Sequence, residues 1–209
     1  MNIVLLEANH DSITASVHKA RRLALNAIRP TQGKAVVELF GPNATARALE
    51  HAYNILIGYL SLVSGLGHGN SNEFTGHLDE TVYQAPLFPT NRTATQAIVH
   101  LFSCNCANNL GPTLVQGGAK AFVGYTDFVY VPQDDNVMPF FVSEAAAFDL
   151  HIYNGGTISG AKSAADSAHV VARAQLEANA ATTPGDLAAF DLNHTARVGP
   201  WSNPRYGST

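Results

Sequence analysis

Residues 98–110 read IVHLFSCNCANNL. From Ile98 to Phe102 the run is apolar except for His100, and it turns polar at Ser103 and Asn105. A run this short, with β-branched and aromatic members and polar residues close behind, predicts a buried strand. Apolar residues at nearly every position, rather than at alternate ones, mark a parallel sheet covered on both faces. The same pattern recurs in NIVLLEA (2–8), KAVVELF (34–40), GYLSLVSGLG (58–67) and AKAFVGYTDF (119–128).

Helical patterns lie between these runs. Ile13, Val17, Ala20, Ala24 and Ile28 recur at helical spacing, with Asp11 or Ser12 as cap and Pro30 as stop. In GPNATARALEHAYN (41–54), Asn43 is the expected cap, and Ala48, Leu49, Ala52, Tyr53 and Leu56 share a face. LGPTLVQGG (110–118) predicts a short helix with Pro112 in its first turn. Longer helices are expected over 143–153 and 159–180, and the tail 186–207 is expected to hold one short strand and then loop. Strands alternating with helices predict a single α/β domain over residues 1–209. Its expected architecture is a three-layer sandwich, with a mainly parallel central sheet flanked by helices and right-handed crossovers.

At 209 residues the chain is long enough to bury a full core without staples. Charged residues are few, at 13%, and the net charge of −4 is spread without a basic cluster. Nucleic acid and anionic membranes are therefore not expected partners. The start, MNIVLLEANHD, lacks a basic n-region and a small-residue cleavage site, and it is expected to be a first strand, not a signal peptide. Two cysteines and no export signal point to a reducing cytoplasm. The N-x-[ST] triplets at Asn43, Asn91 and Asn193 then read as chance matches.

In an open parallel sheet, ligands bind beyond the carboxyl ends of the strands. Those ends deliver Glu7, Asn9 and His10; Gly67, His68, Gly69 and Asn70; Ser103, Cys104 and Asn105; and Tyr125, Thr126 and Asp127. A Cys and a His on two such ends make a nucleophile and base, because a nearby imidazole raises the reactive thiolate fraction. Gly69 lets its backbone N–H approach a carbonyl oxygen, and with the Cys104 N–H it would form an oxyanion hole. Other readings stay open. Cys104 alone reads as a small buried hydrophobe. GLGHG (65–69) is only faintly a phosphate loop, since no lysine or correctly placed third glycine follows. Cys104 and Cys106 with His68 and His77 would supply four zinc ligands, although C-x-C differs from the usual knuckle spacing. A 104–106 disulfide would close an unusually tight ring.

The order of these motifs resembles a known family. An apolar strand ending in His-Gly (YLSLVSGLGHGN), then a second ending in Cys after a small residue (AIVHLFSC), resembles the caspase-like cysteine peptidases. CANNLGPTLVQGGAKAFVGYT and NGGTISGAKSAAD resemble segments of the bacterial CHAT-like and gingipain-like members. The resemblance covers roughly Leu60 to Asp166. It implies His68 as general base and acid, Gly69 with Cys104 as oxyanion hole, Cys104 as nucleophile, no cofactor, no metal, and a protein or peptide as substrate. Ser103 stands where the family usually has Ala. Phe102 stands where clostripain-like members carry an Asp, so a basic preference does not carry over. Asp127 is the acidic residue first expected to line the substrate pocket, with a turn role as its alternative. Glu7 and His10 are expected at the rim, and His100 inside its strand. A non-catalytic, partner-binding domain of the same fold is the competing reading.

Overall fold

The computed structural model describes residues 1–56, 59–86 and 89–202. In chain order the strands are β1 (Asn2–Glu7), β2 (Ala35–Phe40), β3 (Leu62–Leu66), β4 (Glu73–Thr75), β5 (Thr81–Gln84), β6 (Ile98–Phe102), β7 (Ala121–Tyr125) and β8 (Arg197–Ser202). The helices are α1 (Ser12–Ala24), α2 (Ala46–Ile55), α3 (Leu110–Gln116), α4 (Met138–Phe141), α5 (Ser143–Tyr153), α6 (Ile158–Ala178) and α7 (Pro184–Ala196).

The central sheet has six strands in the order β2-β1-β3-β6-β7-β8, and only β8 runs antiparallel to its neighbour. Leu5, Ser64, His100 and Val123 stand side by side across β1, β3, β6 and β7. Because side chains alternate along each strand, that register sorts the whole sheet into two faces. Val4, Val63, Val99 and Phe122 pack with Leu49 and Ala52 of α2 and with Leu110 and Leu114 of α3. Ile3, Leu5, Leu62, Ile98 and Val123 pack with Phe148 and Ile152 of α5 and with Ile158, Ala161 and Ala165 of α6. Val17 and Ala20 of α1 close the same face against Leu66, Phe102 and Tyr125. These are the three layers that the unbroken apolar runs imply.

Several local expectations need correction. The cap of α2 is Thr45, whose Oγ1 accepts the Ala48 N–H at 3.1 Å; Asn43 belongs to a separate 3-10 turn over Gly41–Asn43. Pro42 starts that turn early and leaves Thr45 at the true helix entry. α1 ends at Ala24, well before Pro30, and Ile28 is buried outside the helix. α7 was not expected within the tail. Its signal is TPGD: Thr183 and Asp186 form a capping box around Pro184 in the first turn. The strand expected in the tail is β8; the loop expected after it, residues 203–209, and Gly58 at the start of the third run lie outside the described residues. The β4–β5 hairpin was also not expected. Its strands are short, and it buries Phe74, Val82 and Tyr83 in the α2–α3 layer. Among the described residues no helix is long and apolar enough to cross a membrane.

Candidate active site

β3 ends at Leu66, and the next residues, Gly67 to Asn70, are held by the hairpin. Thr75 N–H donates to His68 O at 2.9 Å, and Asn70 N–H donates to Glu73 O at 3.0 Å. The approach is so close that a Cβ on Gly67 would sit 2.0 Å from Thr75 O. On its other side the loop meets the turn after β6. A Cβ on Gly69 would fall 2.3 Å from Ser103 Oγ and 3.4 Å from Cys104 O. Glycine is thus required at 69 by contact with the residues around Cys104. Among the described residues, nothing accepts a hydrogen bond from the N–H of Gly69 or of Cys104.

His68 is placed by a residue read from sequence only as a cap. One oxygen of Asp11, Oδ1, accepts the Ile13 and Thr14 N–H groups at the start of α1, at 2.8 and 2.9 Å. The other, Oδ2, lies 2.7 Å from His68 Nε2. Partial burial disfavours the charge on Asp11. The Thr14 N–H and the His68 ring outweigh it and bring the carboxyl down to about 2. A carboxyl depressed in the folded state adds stability above its unfolded value near 4, and that stability is lost as the pH falls toward 2. Asp11 therefore stays ionised throughout the neutral range.

The two cysteines differ sharply. Cys104 is partly exposed, and its Sγ accepts the Val129 N–H at 3.3 Å. Cys106 is fully buried, its thiol donates to Ser103 O at 3.3 Å, and burial pushes it up to about 12. A left-handed Asn105, with φ of 55°, turns the chain between them. His68 and Cys104 line one cleft at the carboxyl ends of adjacent strands. Its other walls include Ile13, Val17, Leu66, Phe102, Val129 and Val131. Cys104, Cys106, His68 and His77 do not assemble as a zinc set, because Cys106 is sealed in the core and His77 packs against His10 instead.

The remaining candidates fall elsewhere. Asp127 is exposed, does not line this cleft, and accepts the Phe128 N–H at 2.7 Å on Oδ1 and the Asn105 N–H at 3.0 Å on its carbonyl, as a turn residue does. Glu7 is not a rim residue. It is fully buried, 3.1 Å from Arg21 Nε and 2.7 Å from His18 Nδ1. His10 is nearly buried and stands edge-on to His68. His100 lies inside β6, fully buried, 2.8 Å from Asp149. Strand order was the signal that could have found Asp11. With β1 beside β3, the helix entry that follows β1 must lie next to the loop that follows β3. Compared with known proteins, the chain matches no family model and no curated protein.

Proposed function

We propose that this domain is a caspase-like cysteine endopeptidase. The observation that carries the reading is the shared cleft. His68 and Cys104 line it from neighbouring strand ends, and Gly69 is pressed against Ser103 and Cys104. Cys104 Sγ attacks the scissile carbonyl carbon while His68 takes the thiol proton. The C–S bond forms, the carbonyl electrons move onto oxygen, and the N–H groups of Gly69 and Cys104 hold that oxyanion. When it collapses, the C–N bond breaks and His68 gives its proton to the leaving amine. Water then attacks the thioester by the same route and frees Cys104. Asp11 orients the ring and balances its charge while it is protonated.

The cleft is walled mostly by aliphatic and aromatic side chains, and among the described residues that line it there is no carboxylate and no basic side chain besides His68. The residue before the scissile bond is therefore an uncharged, apolar one. Positional peptide-library profiling tests this directly. Enrichment of small aliphatic residues at that position is expected, and enrichment of Asp, Arg or Lys would refute the assignment of the cleft. Asp11→Asn tests the positioning role. The amide still caps α1 through its oxygen but cannot balance an imidazolium, so kcat should fall about 10²-fold or more while KM changes little, and Tm at neutral pH should drop because the stabilising charge of Asp11 is lost.

One observation favours the non-catalytic alternative. Cys104 Sγ is engaged by the Val129 N–H rather than by His68. A purified protein that neither cleaves the library nor reacts at Cys104 would establish that alternative.

A further inference from the structure

Beside the candidate dyad lies a histidine and carboxylate cluster that the peptidase mechanism uses only in part. The His10 side chain is nine-tenths buried, with a relative exposure of 10%. Its Nε2 stands 3.5 Å from Asp11 Oδ2 and 3.6 Å from Asp79 Oδ1, and its Nδ1 has no hydrogen-bond partner among the described residues. The rings of His68 and His77 stand edge-on to it, at 5.8 and 5.6 Å between centroids. His10, His68 and Asp79 each offer a ligand atom, and these atoms all lie within 4.8 Å of one another.

A buried imidazole without good hydrogen bonds is costly. Here the ring stands among two further imidazoles, of His68 and His77, and two carboxylates. Two imidazoles and one carboxylate suit a zinc-class ion at bonds of about 2.0–2.1 Å. In a tetrahedral shell of that size the ligand atoms stand about 3.4 Å apart, so the cluster closes on an ion through modest side-chain adjustment. The outer side is open, since His68 is 43% and Asp79 67% exposed. An ion can enter there, and water can complete its shell. Asp11, at 2.7 Å from His68 Nε2, supplies the carboxylate that commonly supports a ligating histidine.

We propose that His10, His68 and Asp79 bind a zinc-class divalent transition ion. The ion occupies the imidazole that would take the Cys104 proton, so the loaded protein is silent. That consequence rests on the peptidase reading; the binding site does not.

The test is equilibrium dialysis against Zn²⁺ with metal analysis, on the full chain. Wild type is compared with His10→Gln, Asp79→Asn, Cys104→Ala and His169→Gln, the last altering a separate cluster of Glu144, His169 and His194. His10→Gln and Asp79→Asn should each weaken one equivalent of binding by roughly tenfold or more. Cys104→Ala and His169→Gln should retain that equivalent. Asp79 is exposed, so its variant remains informative if His10→Gln does not fold. Absence of binding, binding undiminished in both His10→Gln and Asp79→Asn, or its loss in Cys104→Ala would overturn the site.

The second readout is the ratio of peptide turnover with and without Zn²⁺, taken within each protein so that basal differences cancel. Wild type should be inhibited, and the two site variants should need more zinc. Zinc that binds with this variant pattern yet leaves turnover unchanged overturns the silencing. A protein that binds zinc in this pattern but never cleaves or labels overturns the peptidase reading and leaves the metal site standing.

Discussion

Cys104→Ala should reduce peptide cleavage to background and abolish labelling by a peptidyl acyloxymethyl ketone, while Cys106→Ser should retain labelling. The physical difference is the environment of each sulfur. Cys106 is fully buried, and its thiol is pushed up to about 12, so almost none of it is thiolate at neutral pH. Cys104 is partly exposed and lines the cleft that holds His68. An electrophile entering the cleft therefore meets only one reactive sulfur. Cys106→Ser puts a hydroxyl in an apolar core, at a cost of about 1–3 kcal/mol, so its effect belongs in the melting curve and not in the label. Intact-mass analysis after labelling decides the matter. Label on Cys106, or equal labelling of the two single variants, would sink the assignment of Cys104 as nucleophile.

The layers of this fold were legible because each strand is apolar at nearly every position, and His100 did not mislead since it sits within such a run. Cys104, His68 and Gly69 were legible for the same reason. Once strands are parallel, the residues just past their ends must converge, and these three do. What sequence did not show was long-range pairing of polar groups. Asp11 reads as a cap because its neighbours Ile13 and Thr14 are local, whereas His68 is far along the chain. Glu7 reads as a rim residue because it ends a strand, but the cation that allows its burial comes from the last turn of α1. The hairpin was missed because β4 and β5 are too short to show a period. For α7 the capping box was readable, but Gly185 beside Pro184 reads as a turn when taken alone.

Arg21→Met should lower stability by about 3–5 kcal/mol, the second large effect expected. Arg21 is fully buried, although it lies in an otherwise amphipathic helix. Its Nη2 donates to Ser64 Oγ at 2.7 Å and to Asp149 Oδ2 at 3.2 Å, and its Nε lies 3.1 Å from Glu7 Oε1. Asp149 also binds Ser64 and His100, and Glu7 also binds His18. One guanidinium thus stands between two fully buried carboxylates and ties α1 to β1, β3 and α5. Methionine fills much of the same volume, so lost packing contributes little. Most of the loss arises because Glu7 and Asp149 keep their burial without the cation between them. Lysine would not rescue the site, because one ammonium cannot fork between two carboxylates and a hydroxyl. The measurement is urea unfolding, with a lower midpoint at unchanged slope. Adding Asp149→Asn to Arg21→Met removes one uncompensated charge and should recover part of the loss, since the two sites share one network. Strictly additive losses in that pair would mean that the network is not coupled as the distances indicate. The same connection reaches the cleft. Glu7 closes β1 immediately before the segment that carries His10 and Asp11, so loosening Arg21 should also lower the rate of Cys104 labelling under conditions where the variant is still folded.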